Sequence, residues 1–318
     1  MDKLSNIFLS PEVFVSLFVS FLLLIILLIA FFQTITILRN YIPNAVTQEQ
    51  YKLEKKSYLV TTIIQISLFI NIFLLAYFAY ILNALSSIIP GAMCGAGVIS
   101  SNVFGNTLIV LKICIIILSM IWLAVNKEDF IQKGHPYFKV KLYFFLFIFL
   151  LILVDFFIAV NFFSNLSTVE PVLCCANIYK NATNIMPFNL KTSYIITLFY
   201  LTYIILVLLL HYKKRVLIAA FSLAYLYLAY LSITYFFSTY IYELPTHKCP
   251  YCILGADYYF IGYFIYSTLF IASFYALTSS LLPYKKNLFK KAIFWYSLFL
   301  VLASFKFIFY LVTNQTFL

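Results

Sequence analysis

Charged residues are scarce in this sequence, and their scarcity argues against a soluble fold. Only 10% of the 318 residues are Asp, Glu, Lys or Arg, whereas 64% are hydrophobic, a balance far from that of soluble domains. Glycine is also rare, and no phosphate-binding glycine loop, metalloprotease helix or nucleophile elbow is present. The three histidines do not form a pair within an apolar run, which argues against a b-type haem.

Long apolar runs, by contrast, recur along the whole chain. About 20 apolar residues cross a bilayer as a helix, and the sequence predicts eight such spans. They lie at about 13–38, 58–84, 105–125, 138–164, 192–211, 216–241, 257–281 and 292–313. The first run is too long for a signal-peptide core and lacks a small-residue cleavage site, so it is interpreted as a true span. We predict an all-α polytopic integral membrane bundle, a single transmembrane domain over 1–318 within a lipid bilayer.

Basic residues are concentrated in alternate loops, and this pattern predicts the orientation of the chain. They cluster after spans one, three, five and seven, and Lys141 belongs to the cluster after span three. This distribution differs from a single patch suited to nucleic acid. Such clusters mark cytoplasmic loops. We therefore expect both termini outside the cytoplasm and no nucleic-acid partner. The predicted location is a bacterial inner (plasma) membrane, with the opposite loops facing the periplasm or exterior.

Five of the six cysteines fall in the outward loops of this topology. They are Cys94 after span two, Cys174 and Cys175 after span four, and Cys249 and Cys252 after span six. Disulfides form and persist on that side of a membrane. The sixth cysteine, Cys114, lies inside a span and is interpreted as a small apolar residue. The outward cysteines are therefore expected to serve redox chemistry, either structural or catalytic.

The segment His247-Lys248-Cys249-Pro250-Tyr251-Cys252 combines a Cys-x-x-Cys pair with two basic neighbours. We expect the pair to open span seven, because cysteines three apart at a helix start share a face where the helix dipole favours a thiolate. His247 and Lys248 would add positive or switchable charge close to Cys249. These features predict a redox dithiol, in which no bound metal is expected. A disulfide staple and a metal site remain the alternatives.

From span four to span seven, over 138–281, the order and sidedness of the cysteines resemble the four-helix core of the vitamin K epoxide reductase family. They resemble DsbB-type membrane oxidoreductases more loosely. The resemblance implies that Cys249 and Cys252 pass electrons to a quinone, and that Cys174 or Cys175 relays them from a soluble extracytoplasmic thiol protein. Spans one to three, in 1–137, and the last span, in 282–318, lie outside it.

One feature departs from the family pattern, because the two loop cysteines Cys174 and Cys175 are adjacent. A disulfide between adjacent residues closes a strained ring, so Cys94 is a better bridging partner for one of them. A structural bridge of this kind and a relay both remain open. The segment 90–97 holds three of the seven glycines and favours a close turn that brings Cys94 against the other thiols, with a flexible turn as the alternative.

Three charged residues within spans are further functional candidates, because charge inside a membrane is costly and usually functional. Lys112, Asp155 and Lys306 each lie several residues below the outer end of a span. We expect Asp155 to pair with Lys112 or Lys306, and such a pair could polarise a quinone or relay its protons. Snorkelling of both lysines is the alternative.

Aromatic residues offer a weaker indication of a quinone site, since flat rings suit a quinone headgroup but also simply pack helices. The tyrosines that crowd span six are Tyr225, Tyr227, Tyr230, Tyr235 and Tyr240.

Two functions follow from these observations. The first is a membrane thiol–disulfide oxidoreductase that exchanges electrons between its outward cysteines and a quinone. The second is a non-enzymatic transporter or complex subunit whose outward loops are stapled by disulfides.

Overall fold

The structure is a computed structural model that describes residues 7–41, 47–132, 134–172, 191–282 and 286–318. Within these ranges the chain is helical and contains no strand. Among these described residues, eight helices are long and apolar enough to cross a membrane. The predicted all-α membrane architecture is thereby confirmed, while the sidedness of the termini stays a prediction.

The helices follow one another along the chain. They are α1 (Pro11–Asn40), α2 (Gln48–Leu85), α3 (Gly95–Ser100), α4 (Val103–Ile131), α5 (Phe138–Ser164), α6 (Thr192–Tyr212), α7 (Arg215–Ser232), α8 (Ser238–Tyr242), α9 (Ile261–Leu281) and α10 (Lys286–Asn314). A π-helical turn, Ile233–Phe237, joins α7 to α8, and the three together form span six. Two short 3-10 turns, Cys252–Leu254 and Ala256–Tyr258, precede α9.

The chain forms two compact units, one of residues 1–81 and 102–166 and the other of residues 82–101 and 167–318. In the first unit, α1, α4, α5 and most of α2 surround an apolar core. Trp122 is fully buried there and donates its indole N–H to the carbonyl of Lys141 at 2.8 Å. The three-part division of the chain at 137 and 281 stays a prediction.

The second unit is built around α6, α7, α9 and α10. Two tyrosines, Tyr225 and Tyr296, are fully buried in its core, with ring centroids 5.3 Å apart. The hydroxyl of Tyr296 lies 2.8 Å from that of Ser222 on α7 and 3.3 Å from that of Ser273 on α9. These polar contacts satisfy a buried hydroxyl and fix the neighbours of α10, as expected where water is absent.

The outer surfaces of the long helices carry large apolar side chains. Exposed examples are Phe14 and Ile29 on α1, Phe157 on α5, and Val301 and Phe309 on α10. Apolar groups exposed in this number are unusual on soluble proteins. They are expected where lipid replaces water around the helices.

Candidate functional site

Three cysteine sulfurs meet in the second unit. The Sγ atoms of Cys94, Cys249 and Cys252 all lie within 4.8 Å of one another, and those of Cys94 and Cys249 are 3.5 Å apart. No disulfide joins the cysteines in the described ranges. A disulfide brings two sulfurs to about 2.05 Å, so Cys94 and Cys249 are in contact at a separation from which a small movement allows a bond. We call these three residues the thiol cluster.

Close backbone approaches position Cys94. Gly91 has φ +80°, and a Cβ at that residue would lie 2.5 Å from the carbonyl oxygen of Val172. The Val172 N–H also donates to the Pro90 carbonyl at 2.9 Å. Next to Cys94, the Gly95 N–H donates to the Asn83 side chain at 3.3 Å. The close turn predicted from this glycine-rich segment is therefore present, and it brings Cys94 against Cys249 and Cys252.

The Cys-x-x-Cys pair does not open the long helix of span seven, and this prediction was wrong. Cys252 begins a single 3-10 turn that ends at Leu254, whereas α9 begins at Ile261. Between them, Tyr259 and Phe260 both adopt left-handed conformations, with φ 53° and 54°, which interrupt helical hydrogen bonding. The dipole of α9 therefore does not account for a thiolate at Cys249 or Cys252.

Two tyrosines from neighbouring spans hold the Cys-x-x-Cys turn instead. The hydroxyl of Tyr242, at the end of α8, donates to the Cys249 carbonyl and accepts the Ile253 N–H at 3.1 Å. The hydroxyl of Tyr266, on α9, donates to the Pro250 carbonyl at 2.9 Å. The turn's backbone groups thus find partners on side chains, as buried backbone groups require.

A glycine on α9 allows the same turn to approach the helix. A Cβ at Gly262 would lie 2.8 Å from both the carbonyl oxygen and the Cγ1 atom of Ile253. Real Cβ atoms do not come so close, so only glycine permits this packing. Gly262 therefore sets the distance between the Cys-x-x-Cys turn and span seven.

His247 contacts one member of the thiol cluster. Its Nε2 lies 3.3 Å from the Sγ of Cys252, and its ring meets the ring of Tyr242 edge-on at 4.5 Å. The sequence suggested Cys249 as the neighbour of this imidazole, whereas the contact seen is with Cys252. Cys252 is also the half-buried thiol of the cluster, while Cys249 and Cys94 are 1% and 5% exposed. The most accessible sulfur of the cluster is therefore the one that contacts the imidazole. Lys248, which follows His247 in the sequence, is also half-buried.

Phenols surround the thiol cluster and report a poorly hydrated setting. The pKa of Tyr251 is raised well above its ordinary value by burial, and further by its neighbours Tyr230, Cys249 and Cys94. The pKa of Tyr258 is raised by burial first and then by the negative charge that Cys252 can carry. Electrostatic interactions at the cluster are consequently stronger than they would be in bulk water.

The predicted intramembrane ion pair forms in the first unit. Lys112 Nζ, on α4, donates to Asp155 Oδ2, on α5, at 2.7 Å, and it also lies 5.1 Å from the centroid of the Phe78 ring. The other oxygen, Oδ1, is buried with no hydrogen-bond partner among the described residues. Ser20 and Asn71 line a small pocket beside the pair. Lys306, the other candidate partner, is on α10 of the second unit.

The five tyrosines of span six do not share one environment. Tyr225 is buried in the core, Tyr235 is largely buried, and Tyr240 packs against Phe307 and Tyr310. Tyr227 and Tyr230 are exposed, and of the five only Tyr230 acts electrostatically on both Tyr251 and Tyr266 near the cluster. The expectation that they line a common quinone site receives no support from this arrangement.

Two predicted site residues are not described by the structure, and two residues that hold the Cys-x-x-Cys turn were not predicted from the sequence. Cys174 and Cys175 lie outside the described residues, and Cys114 lies on α4 of the first unit, whereas the thiol cluster belongs to the second. The sequence did not indicate Tyr242 and Tyr266, because nothing distinguishes them among 27 tyrosines.

The sequence also failed to indicate a buried ion pair at the other end of the first unit's helices. Lys141 Nζ lies 2.7 Å from Asp129 Oδ2, and both side chains are almost completely buried. Lys141 was predicted to belong to a cytoplasmic basic cluster. The only signal of this pair in the sequence was an acidic residue, Asp129, a few positions before the lysines at the start of the next span.

Comparison with known proteins gives no relative: no protein-family model, curated protein or solved structure matches this chain.

Proposed function

We propose that this chain is an integral-membrane thiol–disulfide oxidoreductase that passes electrons from a soluble extracytoplasmic thiol protein to a quinone. The observation that carries the proposal is the thiol cluster, in which the half-buried Cys252 contacts an imidazole and two further sulfurs lie within 4.8 Å. A cysteine beside a histidine and next to a second thiol is the arrangement that exchanges disulfides efficiently. The resemblance to the vitamin K epoxide reductase family supplies the quinone.

The exchange with the donor starts from the oxidised pair, a disulfide between Cys249 and Cys252. A donor thiolate attacks Cys252 Sγ, so that a mixed disulfide forms and the Cys249 thiolate leaves. A second donor thiolate then attacks the donor sulfur of the mixed disulfide and releases the Cys252 thiolate. The donor ends as a disulfide and the chain as a dithiol. His247, 3.3 Å from Cys252 Sγ, stabilises the thiolate that leaves.

A quinone is the proposed acceptor of the electrons and protons that the dithiol loses. The two thiols lose two electrons and two protons as the S–S bond forms again, and the quinone takes up both to become a quinol. Cys249 is the central sulfur for this step, because Cys94 lies 3.5 Å away on one side and Cys252 belongs to the same turn. A Cys94–Cys249 disulfide is resolved when the Cys252 thiolate attacks Cys249 Sγ and Cys94 leaves.

The proposed relay through Cys174 or Cys175 draws support from a neighbouring contact. Val172, two residues before Cys174 in the sequence, is hydrogen-bonded to Pro90 of the segment that carries Cys94. Val172, the last described residue before the loop, therefore lies against the segment that carries Cys94. We therefore propose that the loop cysteines deliver electrons to the cluster, on the periplasmic or external face of a bacterial inner membrane.

The test measures the redox state of each thiol in purified full-length protein. The reduced protein is incubated with a soluble quinone analogue, quenched by alkylation and analysed by mass spectrometry. Wild type is expected to form one quinol for every two thiols lost, whereas Cys249→Ser and Cys252→Ser form none. The matched control Cys114→Ser retains full turnover, because this cysteine lies outside the cluster.

A disulfide staple in a non-enzymatic membrane protein is the competing function, and the short Cys94–Cys249 separation of 3.5 Å favours it specifically. The two functions differ in one further measurement. Mixed with a stoichiometric donor in its disulfide form, reduced Cys249→Ser is expected to trap a mixed disulfide at Cys252, because the Cys252 thiolate attacks the donor disulfide, one donor thiolate leaves, and no Cys249 thiol remains to resolve the bond. A protein whose disulfides stay oxidised in the presence of donor, and which yields no trapped adduct, would refute the enzyme and support the staple.

A further inference from the structure

We propose that, in the reduced protein, Cys94, Cys249 and Cys252 bind one zinc ion with His247 as the fourth ligand. The three sulfurs lie within 4.8 Å of one another, and three thiolates with one imidazole form an established donor set for Zn²⁺. This proposal does not depend on electron transfer, since it concerns the ligands that the dithiol state presents.

The distances suit a tetrahedral ion. With Zn–S bonds of about 2.3 Å, two sulfurs on one zinc are about 3.7 Å apart, and those of Cys94 and Cys249 are 3.5 Å apart. A sulfur and a nitrogen on one zinc are about 3.5 Å apart, compared with 3.3 Å between Cys252 Sγ and His247 Nε2. The ligand atoms that lie within 4.8 Å of one another are the three sulfurs and do not include His247, so the imidazole would have to move toward Cys94 and Cys249 to complete the donor set.

The surroundings favour a metal over three separate thiolates. Cys94 and Cys249 are 5% and 1% exposed, so charge on their sulfurs is poorly solvated. Three thiolates and Zn²⁺ carry a net charge of −1, far less than the thiolates alone, and Lys248 adjoins Cys249 in the sequence. Cys252, the half-buried ligand, offers the route by which an ion reaches the two buried sulfurs.

The ligands come from two separate parts of the second unit, 82–101 and the Cys-x-x-Cys turn. A bound ion would therefore join two segments that are distant in sequence, and binding to the native state alone raises stability. Zinc would also occupy the sulfurs that form disulfides. The metal-bound protein is consequently expected to resist oxidation.

The experiment uses full-length protein reduced with a metal-free phosphine, exchanged into anaerobic buffer and titrated with Zn²⁺ alone. Bound metal is counted by elemental analysis, and Cd²⁺ in parallel reports thiolate ligation through its charge-transfer absorption. Wild type and Cys114→Ser are expected to bind one ion per chain. Cys94→Ser, Cys249→Ser and Cys252→Ser should each lose that ion, and His247→Ala, which removes one of the four ligands, should bind it more weakly than wild type.

Zinc bound no better by wild type than by the same protein after its thiols are alkylated overturns the proposal, and this comparison needs no variant to fold. Equal binding by Cys252→Ser and wild type also overturns it. The outcomes are separable from those of the redox test. Stoichiometric zinc binding without quinone reduction would support the metal site and refute the proposed oxidoreductase function. Quinone reduction without zinc binding would refute only the metal site.

Discussion

Tyr242→Phe removes one oxygen atom from the protein and is expected to release the Cys-x-x-Cys turn. The hydroxyl is bonded to both the Cys249 carbonyl and the Ile253 N–H, and the aromatic ring stays in place after the substitution. Each buried backbone group left without a partner costs about 1–3 kcal/mol. With about 1–2 kcal/mol for each of the two groups, the variant should lower the free energy of opening the turn by about 2–4 kcal/mol.

The reactivity of Cys249 measures this opening directly, because the residue is only 1% exposed in the closed turn. A tenfold change in an equilibrium corresponds to about 1.36 kcal/mol, so alkylation of Cys249 should accelerate roughly 30-fold to several hundredfold. The assay treats reduced protein with a water-soluble maleimide and follows the modified peptides by mass spectrometry. Cys252, already half-buried, should react at nearly the wild-type rate and serves as the internal reference.

Two further phenylalanine variants calibrate the result. Tyr266→Phe removes a single bond, to the Pro250 carbonyl, and should accelerate the labelling of Cys249 about tenfold. Tyr259→Phe changes a side chain that is 89% exposed and should have no effect. Labelling of Cys249 at the wild-type rate in Tyr242→Phe, or equal acceleration in all three variants, would refute the reasoning.

The remaining predictions concern a histidine and a lysine. His247→Ala should slow the alkylation of Cys252 about tenfold at pH 7, because the imidazole that favours its thiolate is lost; His211→Ala should not, and identical rates in both variants would contradict the assigned role. Lys112→Met should lower the unfolding free energy by about 2–3 kcal/mol, since it strands a partly buried carboxylate within a span. Chemical denaturation in detergent checks this, and an equal loss in Lys306→Met would show that the ion pair contributes nothing specific.

The membrane architecture follows from the sequence because each span contains a long, predominantly apolar stretch. All eight spans are present, yet α2 begins at Gln48 rather than near residue 58. Its first turns are polar, and the helix continues beyond the stretch that apolar residues can mark. Hydropathy detects the part of a helix that lipid covers, whereas the ends of the helix depend on local hydrogen bonding.

The thiol cluster was only partly predictable, for reasons that differ from residue to residue. Glycines near Cys94 indicated a close turn, because few other residues permit such backbone approaches. The interruption before α9 had no comparable signal, since Tyr259 and Phe260 rarely adopt left-handed conformations. The neighbour of His247 depended on how the following turn folds, which neither spacing nor composition determines.

The π-helical turn Ile233–Phe237 has a consequence for the length of span six. Such a turn holds one residue more than regular α-helix, and each residue of an α-helix rotates the next by about 100°. Without the extra residue, Tyr242 would point to a different side of its helix, away from the Cys249 carbonyl. A span one residue shorter would still cross a bilayer, but the Cys-x-x-Cys turn would lose its hydrogen bonds to the Tyr242 hydroxyl. The number of residues in this span is thus set by angular phase as well as by membrane thickness.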